Sequence, residues 1–335
     1  MRTTDILRAW RKILIGHHPS LSIEITRECP LKCPGCYAYD TDHLGGGVTL
    51  RQLSDFKGER LVEGVMEVVC RYRPLHLSIV GGDPLVRHRE LETLLPLILK
   101  KGIHVQLVTS AFRRLEPAWA AWPRLTVAVS VDGLAPEHDK RRAPATYERI
   151  LENIKGQRVT VHCTITGQMM KRSGYLEEFL AFWASREEVK RVWFSLFTPQ
   201  LGANLPEMLT MEERSRAISD LLMLRQRYTK LEMGERTIRQ FATPPLSPDR
   251  CVFAQTTLCL SADLKTVIGP CQFGGSPDCS SCGCLASMGM DAIAEHRLVG
   301  PFRIGSIFRA SLRIGRTLAK ARVPIRPASE FRVLR

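Results

Sequence analysis

Cys29, Cys33 and Cys36 stand at x3 and x2 spacing in the run Cys29-Pro-Leu-Lys-Cys33-Pro-Gly-Cys36, with no fourth cysteine nearby. Three close thiolates suit a cuboidal iron–sulfur cluster in which one iron lacks a protein ligand, and an open metal position can hold a small molecule. A structural zinc ion wants four protein ligands, so the trio fits zinc poorly unless a distant residue completes it. Cysteine ligates as thiolate, so the loop must favour the charged form. Pro30, Pro34 and Gly35 keep the loop tight, and Arg27 and Lys32 add positive charge to offset the sulfurs.

Two more polar motifs also follow apolar runs. Val80-Gly81-Gly82-Asp83-Pro84 comes directly after residues 75–79, and paired glycines there allow positive φ and close approach of backbone to a ligand. Val129-Ser130-Val131-Asp132-Gly133 is followed by His138-Asp139-Lys140-Arg141-Arg142. Six β-branched runs, 21–26, 75–80, 103–109, 125–131, 158–165 and 191–197, read as strands. Helical spacing fills Arg87 to Lys101, 112–122, Pro144 to Lys155 and Gly174 to Glu188. Thr49-x-x-Gln52 predicts a capping box opening a helix with Leu53, Phe56, Leu61, Val65 and Val69 on its apolar face; Thr210-x-x-Glu213 predicts another, through about Arg227. This alternation predicts an α/β fold, a partial (β/α)6 TIM-like barrel with a parallel sheet and right-handed crossovers.

Active sites of parallel barrels gather at the C-terminal ends of the strands. Cys29–Cys36, Gly81–Pro84, Thr109-Ser110, Ser130 with Asp132, and Thr164 with Thr166 all fall there. Taken singly, Gly81-Gly82 and Asp132-Gly133 could be ordinary turns, and Arg141 and Arg142 surface charges. Those readings leave the coincidence with the cysteine trio unexplained.

In this order and spacing, CxxxCxxC, GGDP and VSVDG…HDKRR resemble the radical S-adenosylmethionine (SAM) enzymes, in particular the branch with C-terminal auxiliary clusters (SPASM or twitch domains). The resemblance covers about residues 20–200 well and 250–285 loosely. It implies a [4Fe–4S] cluster on Cys29, Cys33 and Cys36, whose open iron chelates the amino and carboxylate groups of SAM. It implies that Gly81, Gly82, Asp83 and Pro84 meet the amino group and that Ser130 and Asp132 face the ribose or methionine. Arg142, ahead of Arg141, is then the arginine that steadies the carboxylate. Asp83 stands where the family commonly has Glu; Gly35 replaces the usual aromatic residue, and Tyr37 follows the motif instead.

The implied chemistry begins with one-electron reduction, by a protein such as flavodoxin or ferredoxin. SAM is then cleaved to methionine and a 5′-deoxyadenosyl radical. The radical abstracts hydrogen from a peptide, protein or small-metabolite substrate, or in rarer relatives adds to a double bond. No catalytic acid or base is identified.

Cys251, Cys259, Cys271, Cys279, Cys282 and Cys284 crowd into 34 residues, and Thr256–Ser261 with Lys265–Ile268 reads as a hairpin ahead of Cys271. This resembles the first half of a SPASM domain. The resemblance implies one auxiliary [4Fe–4S] cluster on Cys251, Cys271 and Cys279 or Cys282, with Cys259 and Cys284 competing for a place. Cys279-x2-Cys282 is also zinc-compatible spacing, so a zinc knuckle is the alternative there. A non-catalytic zinc or iron–sulfur binding protein is the corresponding alternative for the chain. Cys70 and Cys163 read as buried small hydrophobes. Trp193, Phe194, Ser195 and Phe197 are candidates for a cavity wall or, more commonly, strand core.

The 335 residues, 44% hydrophobic and 24% charged, suit a soluble globular protein with one large domain and a smaller one. No apolar run approaches the ~20 residues of a membrane span, and Ile13-Leu14-Ile15 is too short for a signal peptide core. Eleven cysteines without a secretory signal favour metal chemistry in a reducing cytoplasm over disulfides. The expected division is an amphipathic segment 1–19, the barrel 20–205, a helical linker 206–248, an auxiliary domain 249–290 and a basic tail 291–335.

Of the net charge of +14, residues 301–335 carry +8. On a helix, Arg309, Arg313, Arg316 and Lys320 line one face, and Ile304, Ile307, Phe308, Leu312, Ile314 and Leu318 the other. Such a helix can dock on its own domain, lie on an anionic membrane surface, or bind nucleic-acid phosphates, the last least favoured here. Ile6, Leu7, Trp10, Ile13 and Leu14 with Arg8, Arg11 and Lys12 form a similar N-terminal pattern. A peripheral enzyme at the inner face of the membrane, modifying a lipid or isoprenoid, is therefore the second expectation.

Overall fold

Residues 3–144, 146–299 and 302–320 are described in a computed structural model. Seven parallel strands carry the fold: β1 (Ser20–Glu24), β2 (His76–Val80), β3 (His104–Thr109), β4 (Leu125–Ser130), β5 (Val159–Ile165), β6 (Val189–Leu196) and β7 (Thr257–Leu260). Their order is β6-β5-β4-β3-β2-β1-β7. The helices are α1 (Thr3–Leu14), α2 (Glu59–Tyr72), α3 (His88–Lys100), α4 (Glu137–Arg141), α5 (Tyr147–Asn153) and α6 (Gly167–Met170). They continue with α7 (Tyr175–Ser185), α8 (Met211–Arg227), α9 (Glu235–Gln240), α10 (Val252–Thr256), α11 (Leu285–Ala294) and α12 (Ile304–Lys320).

Strand side chains alternate between faces. Leu21, Ile23, Leu77, Ile79, Leu107, Val129, Val161 and Phe194 belong to the buried core shared with the helices. The intervening Ser22, Glu24, Ser78, Gln106, Ser130, His162 and Trp193 therefore share the opposite face, the concave side of the sheet. A mostly polar lining beneath an apolar jacket is what a barrel needs to receive a polar ligand.

The six expected strands are present within one or two residues of the expected bounds. The seventh was expected as a hairpin strand but not as part of this sheet. The first strand of the C-terminal hairpin pairs parallel with β1, Leu21 beside Leu258, and extends the barrel sheet. Of the expected hairpin the first strand forms, while the second, Lys265–Ile268, is reduced to a single antiparallel bridge, Leu260 with Val267, flanked by Ser261 N–H donating to Thr266 and Ile268 N–H to Cys259. Asp263 takes the place of a turn glycine by accepting from Lys265 and Thr266 N–H, with Leu264 at φ +59°.

Three local expectations are corrected. The Thr49–Gln52 capping box exists but caps a single 3-10 turn, Leu50–Gln52, and the helix begins only at Glu59. The intervening chain stays extended because Asp55 is drawn away to Thr26 and Arg87. Segment 112–122 yields only the 3-10 turn Pro117–Ala121, which buries Trp119 against the core. Cys70 is exposed on α2; Cys163 is buried as expected. The second capping box does open a long helix, α8.

Candidate metal and cofactor site

The loop after β1 brings Cys29, Cys33 and Cys36 together at the C-terminal rim. Burial pushes the Cys29 thiol up to about 12, and the neighbouring Asp83, Cys33 and Cys36 push it further in the same direction. Burial likewise raises Cys33 and Cys36, against the pull of the Arg142 guanidinium beside them. Thiols so placed are protonated until a metal displaces the proton.

Among the described residues, the one trio of His, Cys, Asp and Glu ligand atoms within 4.8 Å of one another is His88, Glu92 and Glu116. No three described cysteine sulfurs come that close. One tetrahedral zinc with Zn–S bonds of about 2.3 Å would hold its sulfurs roughly 3.8 Å apart.

The glycine turn is fixed by close contact. Gly81 has φ +110°, and a Cβ on Gly82 would fall 2.0 Å from the Glu28 carbonyl oxygen, so only glycine lets this turn touch the cysteine loop. Asp83 points inward. Its carboxylate accepts from Thr109 Oγ1 at 2.7 Å, from Ser110 Oγ at 2.6 Å and N–H at 2.8 Å, and from Leu85 N–H at 3.0 Å. Four donors commit it to joining β2 to β3. Pro84 begins the 3-10 turn that Asp83 caps.

Asp132 is equally enclosed. Its Oδ2 meets Arg142 at 2.9 Å and Arg141 at 3.2 Å, while Oδ1 accepts from Thr164 N–H at 3.1 Å. Burial alone would raise its carboxyl; the two guanidiniums more than offset this and hold it at about 2. Arg141 also reaches Glu207 at 3.0 Å, which leaves Arg142 as the arginine facing Cys33 and Cys36. Ser130 lies in register with His162, and His162 with Trp193, so the three form one row across the concave face. His162 bonds Ser195 Oγ at 2.8 Å, and burial lowers it to about 4, so it is a neutral imidazole near pH 7. Phe194 lies on the other face against Phe179, as strand core.

The six C-terminal cysteines gather around one another. Cys251, Cys259 and Cys282 raise Cys271; Cys251, Cys271 and Cys282 raise Cys284; Cys251 and Cys282 raise Cys279, in every case after burial itself. Cys259 stands on β7 on the concave side and senses Cys284. The group is bonded to the barrel. Gly283 accepts from Leu196 N–H at 2.9 Å and donates to Thr198 Oγ1, and a Cβ there would meet the Leu196 carbonyl oxygen at 2.1 Å. Arg214 on α8 donates to the carbonyls of Phe241, Ser281 and Cys282.

Sequence reasoning missed the link between the two cysteine sites. Glu24, wholly buried at the end of β1, holds His43 Nε2 at 2.9 Å and Ser261 Oγ at 2.7 Å. His43 Nδ1 meets the Phe273 carbonyl at 3.0 Å. Tyr37, next to Cys36, packs edge-on against Phe273, two residues beyond Cys271, with ring centroids 5.4 Å apart. A lone buried carboxylate in the apolar β1 pattern was the only available signal.

Such a rim, with clustered thiols beside a polar concave face, defines a metal-cluster enzyme on a parallel partial barrel. Residues 23–171 match the family model described as the Radical SAM superfamily. Residues 23–171 thus carry a radical SAM domain. No curated protein matches it.

Solved structures show the same fold at low identity. The protein anSMEcpe with bound AdoMet is 14% identical, with TM-score 0.56, covering 76% of this chain and 74% of that one. SuiB of Streptococcus suis bound to S-adenosylmethionine is 14% identical, with TM-score 0.55, over 80% of this chain and 63% of that one. The chain thus spans less than two thirds of SuiB. A third structure, anSMEcpe with AdoMet and the Kp18Cys peptide, is 15% identical, with TM-score 0.54, over 88% and 84%.

Proposed function

We propose that the chain cleaves SAM to generate a 5′-deoxyadenosyl radical and directs it at a hydrogen on a peptide or protein side chain. The observation that carries this reading is the placement of three sulfurs, the glycine turn and Arg142 on one rim, with six further cysteines bonded to the same barrel. The substrate class is supported by two neighbours of the same fold solved with peptides, anSMEcpe and SuiB with its precursor peptide SuiA.

Cys29, Cys33 and Cys36 would hold a [4Fe–4S] cluster, since three thiolate donors with one iron left open are the ligand set that group takes. With SAM bound, it supplies one-electron chemistry. Arg142 offers a cation for a carboxylate, and Asp132 fixes that cation in place. Since Asp83 is committed inward, the polar groups left at the glycine turn are the backbone of Gly81 and Gly82. Ser130, neutral His162 and Trp193 would meet ligand across the concave face. His162, anchored by Ser195, can hydrogen-bond without carrying charge. On this reading 20–205 is the catalytic barrel, and 249–290 holds an auxiliary cluster on four of its six cysteines.

The test is an anaerobic incubation of the iron-loaded chain with SAM and dithionite, with and without peptides encoded beside its gene. Formation of 5′-deoxyadenosine, lost in Cys33→Ala and accelerated by one such peptide, is expected. Product formation that no peptide alters, while a small metabolite accelerates it, would overturn the peptide assignment.

A further inference from the structure

Helices α1 and α12 play no part in either cysteine site. They lie side by side and run in the same direction: Trp10 meets Phe308 with ring centroids 5.8 Å apart, and Ile13 meets Gly315. Their contact is so close that a Cβ on Gly315 would come within 2.0 Å of the Ile13 carbonyl oxygen. The inward faces bury Ile13, Ile304 and Ser311. Self-docking, one of the sequence expectations, therefore accounts for one face of each helix.

It leaves the outward faces unexplained. Leu7 is 56% exposed, Leu14 38%, Ile314 53% and Leu318 45%. Leu7 and Leu14 are two turns apart on one side of α1, and Ile314 and Leu318 one turn apart on α12. On α1 the exposed Arg8 and Arg11 flank Leu7 and Leu14; on α12 the exposed Arg309 and Arg313 lie round the helix from Ile314 and Leu318, on its polar side. Together the two helices hold seven basic residues against the single acidic Asp5, and α12 has no acidic residue. An ordinary solvated face would mix both signs of charge and would not repeat large aliphatics.

We propose that the outward faces of α1 and α12 form a docking surface for an anionic lipid bilayer. Exposed leucine and isoleucine can enter the boundary between headgroups and acyl chains, while the guanidiniums meet lipid phosphates. Nucleic acid would use the same charges but not the aliphatic repeat. The aromatic rings that could stack on bases, Trp10 and Phe308, face each other. No described helix is long and apolar enough to cross a membrane, so the attachment is peripheral.

The experiment is co-sedimentation of the full chain with phosphatidylcholine vesicles, pure or containing about one third phosphatidylglycerol. Each basic residue at such a surface contributes roughly five-fold to partitioning. Binding should be at least about ten-fold stronger to the anionic vesicles and weaken with salt. The pair Arg11→Glu with Arg313→Glu should reduce it more than about ten-fold, and Ile314→Asn with Leu318→Asn several-fold, both with unchanged circular dichroism. All four positions are exposed, so folding should survive. Equal binding to both vesicles, binding indifferent to either pair, or capture of RNA without capture of vesicles would overturn the proposal.

Discussion

Glu24 and His43 form an ion pair sealed from solvent, Oε1 to Nε2 2.9 Å, with both side chains fully buried. The other ring nitrogen of His43 faces the Phe273 carbonyl at 3.0 Å. Both its neighbours are oxygens, and against a carboxylate at Glu24 both ring nitrogens donate, an arrangement that favours the imidazolium form of His43. Burial opposes that charge, but Glu24 and Phe273 outweigh it and raise its pKa. The pair ties the barrel strand nearest Cys36 to the loop that follows Cys271.

His43→Gln should remove one partner of a buried pair at a cost of about 3–5 kcal/mol, read by urea denaturation. The sign with pH is definite, because a raised imidazole stabilises most when protonated. Its contribution is complete below about 6.5, the ordinary histidine value, and is lost as pH rises through the folded value. The wild type should lose this increment on going alkaline, whereas His43→Gln should not.

Asp132 predicts the opposite pH direction. Its carboxyl, held at about 2 by Arg142 and Arg141 against burial, contributes stability that is fully present above about 4 and disappears as pH falls through 2. The lowering from 3.8 to about 2 corresponds to about 2 kcal/mol. Asp132→Asn should flatten that acid limb and, by leaving the Arg142 guanidinium without its carboxylate and Arg141 with Glu207 alone, lower stability at neutral pH as well.

Two glycine substitutions should separate close approach from helix propensity. Gly82→Ala places a methyl 2.0 Å from the Glu28 carbonyl oxygen, a backbone atom that cannot move aside. It should cost at least about 1–3 kcal/mol and reduce iron loading of the first site. Gly289 on α11 has no atom within 4 Å of its would-be Cβ, so Gly289→Ala should stabilise by about 0.5–1 kcal/mol with iron content unchanged. Thermal melts and iron assays on the two variants check this.

Metal content distinguishes cluster from zinc at the C-terminal cysteines. Two cubanes require about eight irons per chain, whereas one cubane and a zinc ion give about four irons and one zinc. We expect eight, with acid-labile sulfide in equal amount. Cys251→Ala, at the cysteine that the other ligand candidates sense most widely, should halve the iron and leave the first site loaded.

The strands were legible because a buried parallel sheet forces β-branched runs at regular intervals, and the rim motifs because each ends such a run. The contacts that bind the two cysteine sites were not. Glu24 and Ser261 meet across 237 positions, and no local pattern says which sheet edge a hairpin will take. The Thr49 box misled for a related reason. Its local chemistry is real, yet Arg87, 32 positions beyond Asp55, sets the path of the chain between the box and α2. Asp83 and Asp132 were found as motif members, but their inward orientation depends on Ser110, Thr164 and Arg141, which propensity does not place.

The central claim is that Cys29, Cys33 and Cys36 hold a cluster with one iron open to SAM. Electron paramagnetic resonance of the anaerobically reduced chain, with and without SAM, tests it most directly. A variant such as Cys251→Ala, lacking the second site, isolates the first signal. We predict a reduced [4Fe–4S] spectrum whose g values shift on adding SAM and which is absent in Cys33→Ala. A spectrum indifferent to SAM, or a protein that takes up zinc and no iron at these cysteines, would contradict it.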